Sequence, residues 1–178
     1  ELSDLTFDRN SFCQKHGIPE QNKIIVLMPG SRPVEIKRHW KIFEKAVKNL
    51  RKKNQNLSFV LLEGDNINIS SSVDLIKIKK NQYEAIGIAD AAIVCSGTAT
   101  LETAMLRCPM IVCYKLSWPT WILAQMLSKV KYLSLVNLIA KDKVVNEYLQ
   151  NKMTAKNLAS GVNNLFKNEN RDVVIKKY

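Results

Sequence analysis

The chain has 178 residues, is 46% hydrophobic, and carries 27 Lys and Arg against 16 Asp and Glu, for a net charge of +11. That length suits one large domain with a single core, and no apolar run approaches the ~20 residues that span a bilayer, which excludes a spanning helix within it. Its four cysteines, Cys13, Cys95, Cys108 and Cys113, show no Cys-x-x-Cys spacing, so neither a zinc site nor a redox motif is indicated, and free buried thiols in a reducing cytosol are expected.

The sequence begins Glu1-Leu2-Ser3, with no initiator Met or signal peptide, which predicts a piece of a longer protein. Residues 7–16 read as a short helix, with Gly17 at its C-terminal cap and Pro19 beyond. Residues 23–28 form a near-continuous apolar strand of the kind buried in a parallel sheet. Pro29-Gly30-Ser31-Arg32 follows, then a long helix over 33–53 with Pro33 in its first turn. In that helix Ile36, Trp40, Phe43, Val47 and Leu50 make an apolar stripe at helical spacing, which is core. Residues 57–62 are the next strand. The stretch 63–73 is polar and too broken for a helix; 74–79 reads as a short strand and 82–89 as a short helix.

The best-defined stretch is 90–115. Ala91 to Cys95 is one buried strand, and Ser96-Gly97-Thr98 breaks it with small residues. Residues 98–107 read as a helix with Leu101, Met105 and Leu106 on one side. Pro109 ends it before a second strand over 110–114. Strand, turn, helix, strand is a βαβ unit with a right-handed connection. Beyond it, 118–130 reads as a helix, 132–135 and 137–140 as loop, 144–150 as a short helix, and 154–166 as a helix capped by Thr154. Residues 167–178 form a polar tail. Strands alternate with helices throughout, so the fold is α/β, an open and mostly parallel Rossmann-like sheet with helices on both faces.

Ligands of such sheets bind at the carboxyl ends of the strands, where two loops fall. Arg32 brings a planar guanidinium suited to phosphate oxygens. Ser96, Gly97 and Thr98 bring backbone N–H groups and a hydroxyl to a helix start, where an anion is favoured. Glu102, one turn on, is placed to accept hydrogen bonds from sugar hydroxyls. A cation opposite a helix start suits a nucleotide diphosphate. A plain crossover with a tight turn is the alternative reading of the second loop alone, and a solvated arginine that of the first.

The basic excess is nearly all Lys, spread among many Asn and Ile residues, which marks a compositional bias. No aromatic-interleaved basic stretch resembles a nucleic-acid platform, so no nucleic acid is expected; attraction to anionic lipid is the stronger reading. On the predicted 118–130 helix, Trp118, Trp121, Ile122, Gln125 and Met126 form a stripe, widened by Leu123 and Leu127 and flanked by Lys115 and Lys129. That face either packs on protein or lies against a membrane surface.

Several segments occur together in order: Leu27-Met28-Pro29-Gly30-Ser31-Arg32 with Glu35-Ile36; Ala89-Asp90; Ser96-Gly97-Thr98-Ala99-Thr100-Leu101-Glu102; Cys108-Pro109-Met110-Ile111-Val112 with Tyr114-Lys115; Asn137-Leu138-Ile139-Ala140; and Glu147-Tyr148-Leu149-Gln150. This series resembles the carboxy-terminal half of the lipid-A-disaccharide synthases, two-domain glycosyltransferases of the GT-B architecture, from about residue 24 to 166. The resemblance implies transfer of 2,3-diacylglucosamine from UDP to a glucosamine lipid phosphate, with inversion at the anomeric carbon and release of UDP. It implies no metal or other cofactor, because protein groups stabilise the departing diphosphate. It also implies a peripheral enzyme on the cytoplasmic face of the inner membrane, and leaves a homodimer open.

By motif, Gly30, Ser31 and Arg32 correspond to contacts near the donor's sugar or phosphates; Ser96, Gly97 and Thr98 to the diphosphate turn; Glu102 to the ribose partner; and Asn137 to a further donor contact. Glu147 and Gln150 match a weaker pattern in which capping or packing is an equal alternative. Residues 1–166 would be the donor domain. The resemblance implies that the amino-terminal acceptor domain, with the catalytic base, lies outside this chain. Three departures stand out: 63–73 is short for the family's strand–helix–strand connection, and Val136 and Asn146 stand where prolines are common. The alternatives are another UDP-sugar enzyme of this architecture, such as a peptidoglycan N-acetylglucosaminyltransferase or a UDP-N-acetylglucosamine 2-epimerase, or a non-catalytic nucleotide-binding or membrane-surface module.

Overall fold

The apolar runs of the sequence become strands of a parallel sheet in the computed structural model, which describes residues 2–64, 67–117, 132–167 and 175–176. The strands are β1 (Lys23–Met28), β2 (Leu57–Leu62), β3 (Ile76–Ile78), β4 (Ala91–Cys95), β5 (Met110–Tyr114) and β6 (Asn146–Leu149), in spatial order β3-β2-β1-β4-β5-β6. Every pairing is parallel, with Val26 opposite both Val60 and Ala92, and Val94 opposite Val112.

Both faces of the sheet are covered, which is why β1, β2 and β4 read as unbroken apolar runs rather than alternating ones. On one face α2 (Pro33–Lys53) and α6 (Ala155–Leu165) pack against Ile25, Leu27, Phe59 and Ile93. On the other, α1 (Arg9–His16), α3 (Gln82–Gly87), α4 (Ala99–Met105) and α5 (Leu135–Ala140) pack against Ile24, Val26, Val94 and Val112. The α2 stripe is buried as its spacing predicts. Phe43 at its centre is fully enclosed, and burying a side chain of that size contributes roughly 2–3 kcal/mol. Arg51, Lys52 and Lys53 in its last turn complement the helix dipole.

Helix α1 starts where Asp8 accepts from the Asn10 amide, and it ends at Gly17 in the left-handed region, with the Ile18 amide returning to the Cys13 carbonyl at 2.9 Å. Its Arg9 donates to the Asn22 carbonyl at 2.9 Å and to the Asp90 carboxylate at 3.0 Å, while Asp90 also accepts from the Ile24 amide at 2.8 Å. The amino-terminal edge of the sheet is thereby tied together, away from the loops that follow the strands.

The structure differs from the sequence reading in several places. Residues 144–150 are not a helix: 146–149 form β6, followed by a single 3-10 turn at Gln150–Lys152. Pairing of Glu147 and Tyr148 with Val112 and Cys113 decides it, a tertiary override of local preference. Residues 137–140, read as loop, lie in α5, which Ser134 caps and Lys141 ends at φ +53°. The strand expected over 74–79 contracts to β3. In α4, Met105 is 45% exposed, whereas Thr100 and Thr103 are fully buried with hydroxyls donating to the Gly97 and Ala99 carbonyls, both at 2.7 Å. The described part of 63–73 contains no helix. It is pinned by the buried Glu63, which accepts from the Ile69 amide at 2.7 Å, and by Trp40, which donates to the Ser70 carbonyl at 2.8 Å. The cap at Thr154 and the burial of all four cysteines match expectation. The predicted 118–130 helix with its tryptophan stripe, and most of the 167–178 tail, lie outside the described residues.

Candidate functional site

Strands β1 and β4 lie side by side at the middle of the sheet, and the chain leaves them for opposite halves. That divergence opens a crevice at the carboxyl edge, the place where open α/β sheets bind ligands. Here it is a cavity of about 440 Å³. The loop after β1 supplies Gly30, Ser31 and Arg32 to its wall; the loop after β4 and the first turn of α4 supply Ser96, Gly97, Thr98 and Glu102. Seven residues singled out from the sequence, distant along the chain, therefore share one cavity.

The first loop has a backbone that only glycine takes up without strain. Gly30 has φ +126°, and a Cβ there would sit 2.8 Å from Glu35 Oε2 and 2.9 Å from Glu35 Cβ. Arg32 follows as the N-terminal cap residue of α2, with its side chain 80% exposed and its guanidinium 3.7 Å from Glu35 Oε1. Glu35 is held more tightly than Arg32, since its Oε1 accepts from the Tyr114 hydroxyl at 3.0 Å. Burial and the Glu35 carboxylate push the Tyr114 hydroxyl up to about 12, so it remains a hydrogen-bond donor at neutral pH. The loop keeps its place relative to β5 through His39, which is fully buried. The Lys115 amide donates to His39 Nε2 at 3.2 Å, which puts the ring proton on Nδ1, 2.9 Å from the Pro29 carbonyl.

The second loop is held through Ser96: its amide donates to the Cys113 carbonyl at 3.0 Å, and its hydroxyl to the Leu133 carbonyl at 3.1 Å. Gly97 and Thr98 are exposed, and a Cβ built on Gly97 meets nothing within 4 Å among the described residues, so their packing does not require glycine there. Helix α4 has seven residues, so its dipole is short and the local amides of its first turn matter more. Cys95, in the same cavity, is raised to about 12 by burial and then by the charge of Glu35. It is a buried thiol rather than a nucleophile.

The cavity does not include Asn137, Glu147 or Gln150. Asn137 is fully buried in α5, its side chain engaged by Val144, Val145 and Glu147. Glu147 on β6 accepts from the Leu133 and Ser134 amides, both at 3.0 Å. Gln150 has φ +48°, and its buried Nε2 has no hydrogen-bond partner among the described residues. Conversely, the cavity contains Glu35, Tyr114 and Gln82, which sequence reasoning did not single out as site residues. Glu35 was accessible in principle, being three residues after Arg32 on a predicted helix; Tyr114 was accessible as the last residue of a strand. Among the described residues, no group of three or more His, Cys, Asp or Glu side chains is arranged to hold a metal ion, and no helix is long and apolar enough to cross a membrane.

Comparison with known proteins adds an independent line. The family model for lipid-A-disaccharide synthetase matches residues 2–178. The lipid-A-disaccharide synthase of Blochmanniella pennsylvanica is 34% identical over 181 residues, covering 97% of this chain and 47% of that protein. Lipid-A-disaccharide synthase 1 of Legionella pneumophila is 36% identical, covering 92% of this chain and 45% of that protein. The chain thus spans about half the length of the curated relatives it matches. Among solved structures, WaaG, a glycosyltransferase involved in lipopolysaccharide biosynthesis, superposes with a TM-score of 0.61 at 15% identity, over 99% of this chain and 47% of that one. A UDP-GlcNAc 2-epimerase from Neisseria meningitidis bound to UDP-GlcNAc gives 0.60 at 16% identity, over 94% and 43%. At such identities these likenesses speak for the fold alone.

Proposed function

The chain belongs to the lipid-A-disaccharide synthase family, and from that premise we propose that it is the donor-binding half of a glycosyltransferase. The whole enzyme would transfer 2,3-diacylglucosamine from UDP to a glucosamine lipid phosphate, and residues 1–166 would form its donor domain. One observation carries this reading: seven motif residues from two loops line a single cavity where β1 and β4 diverge. Arg32 would meet the diphosphate from one side and the amides around Gly97 and Thr98 from the other, with Glu102 accepting from the ribose hydroxyls. As the acceptor's hydroxyl oxygen bonds to the anomeric carbon, the bond from that carbon to the diphosphate breaks and UDP leaves with the electron pair. The acceptor's proton passes to a base supplied by the other half of the enzyme. Arg32 faces charge that grows on the leaving group, so its contribution is larger in the transition state than in the bound substrate.

The +11 charge supports association of the whole enzyme with an anionic bilayer, peripherally and on its cytoplasmic face. The test of the donor reading is a calorimetric titration of UDP into this chain. A saturable heat with one site, abolished by excess UDP-N-acetylglucosamine, is the expected result; no saturation up to millimolar UDP would contradict it.

A further inference from the structure

Two residues that match the family's motifs lie outside the cavity, and their hydrogen bonds show what they hold. An amide side chain offers two donors and two acceptor lone pairs. Asn137 uses all four: Oδ1 accepts from the Val144 and Val145 amides, both at 2.8 Å, and Nδ2 donates to the Val145 carbonyl at 2.9 Å and to Glu147 Oε1 at 2.8 Å. Nothing remains for a ligand. Glu147 Oε1 also accepts from the Ser134 hydroxyl at 2.8 Å and the Ser134 amide at 3.0 Å, while Oε2 accepts from the Leu133 amide at 3.0 Å. The next link crosses to the cavity, because the Leu133 carbonyl accepts from the Ser96 hydroxyl.

We infer that Asn137 and Glu147 form a clamp that positions the Ser96 turn: they fix Leu133 and Ser134, and the Leu133 carbonyl fixes the Ser96 hydroxyl at the cavity wall. The inference rests on the donor-site reading and gives these two residues a role that differs from donor contact. It also has a consequence for Ser96. Its hydroxyl proton is committed to Leu133, so a phosphate at the turn would be met by backbone amides rather than by that hydroxyl. Glu147 is suited to the clamp because a carboxylate only accepts, and each of its hydrogen-bond partners among the described residues donates. A glutamine there would turn one N–H toward donors. A fully satisfied polar network orders its members, whereas a half-satisfied one leaves buried groups without partners.

The test compares UDP titrations of wild type, Glu147→Gln, Ser96→Ala and the double variant, at a temperature where circular dichroism shows each to be folded. The expected result is that Glu147→Gln weakens UDP binding about tenfold, the loss of roughly one hydrogen bond's worth of order. In the Ser96→Ala background the same change should weaken it less than twofold, because the link is already cut. Fully multiplicative effects, or wild-type affinity in Glu147→Gln with only thermal stability reduced, would overturn the clamp. Ser134→Ala, which removes one bond to Glu147 and the cap bond from the Asn137 amide, covers the case in which Glu147→Gln does not fold, and should weaken UDP binding about threefold. If wild type itself fails to bind UDP, the donor-site reading fails. The clamp is then judged by amide exchange at Gly97 and Thr98, which Ser134→Ala should accelerate and which unchanged exchange would refute.

Discussion

The carboxyl edge of the sheet carries two polar regions with opposite economies. Around β1 and β4, polar groups face a cavity: Arg32 is 80% exposed, and Gly97 and Thr98 are exposed too. Around β5 and β6, Ser134 and Asn137 have no exposed surface, and their polar atoms bond to one another and to backbone. Both regions carry motif residues. The difference teaches that a motif residue's role is read from where its hydrogen-bonding capacity goes. Capacity turned to open space is available to a ligand, and capacity consumed inside the fold is not.

The contrast is broken most severely by removing charge from the open side. In the full-length enzyme Arg32→Ala should cost about 2–4 kcal/mol of transition-state stabilisation, read as a loss in kcat/KM, with little effect on unfolding. Arg32→Lys should recover only part, because the planar fork is lost. Turnover and affinity both near wild type in Arg32→Ala would remove the phosphate role.

On the closed side the effect should appear in stability instead. Asn137→Ala takes the side-chain acceptor from the Val145 amide, leaves the Val144 amide only the Asp142 carbonyl, and removes the donor to the Val145 carbonyl and Glu147, and should lower the unfolding free energy by about 2–3 kcal/mol in a urea titration. The two glycines sharpen the comparison further. Gly30→Ala meets both a forbidden φ and Glu35, and should cost about 1–3 kcal/mol of stability. Gly97→Ala meets nothing within 4 Å among the described residues, so its unfolding free energy should stay within about 0.5 kcal/mol of wild type, while UDP affinity falls if the diphosphate approaches the backbone there. A destabilised Gly97→Ala would place that residue with the closed region.

Alkaline pH gives the smallest separation. Cys95 and Tyr114 have ordinary values of 9.0 and 10.0, and both rise to about 12 in the fold. The unfolded chain loses these protons first, so it binds fewer protons than the native state between the two limits. The stability they contribute is complete below pH 9 and is lost as pH rises toward 12. Cys95→Ala should flatten part of that decline in thermal melts taken from pH 8 to 11; an unchanged slope would show that Cys95 is not among the groups responsible.

Much of the fold was legible because it rests on local, redundant signals. The runs at 23–28, 57–62, 91–95 and 110–114 are apolar on both faces, and the α2 stripe repeats over 21 residues. What failed depended on partners distant in sequence. Nothing within 144–150 announces a strand; its pairing with β5 does. The side of α4 that carries Met105 was read as apolar, yet Met105 is exposed and Thr100 and Thr103 are buried, their hydroxyls satisfied by the Gly97 and Ala99 carbonyls. The two cavity loops were legible because each follows a recognisable strand, and the strand order then brings them together. Glu35 and Tyr114 were harder, since neither has meaning until α2 and β5 place them 3.0 Å apart. Asn137 was read as a donor contact in a loop, whereas it lies in α5 with its side chain bonded to Val144, Val145 and Glu147, the last of them on β6, an element the sequence did not reveal.

The donor site is defined by where UDP sits. A titration of isotopically labelled chain with UDP, followed amide by amide in two-dimensional NMR spectra, reports this directly. The account predicts saturable shifts that are largest at Gly30, Ser31, Gly97 and Thr98, smaller at Leu133 and Ser134, and absent at Asn68 and Lys77 on the far side of β2. Saturable shifts centred on Asn68 and Lys77, with Gly30 and Gly97 unmoved, would contradict it.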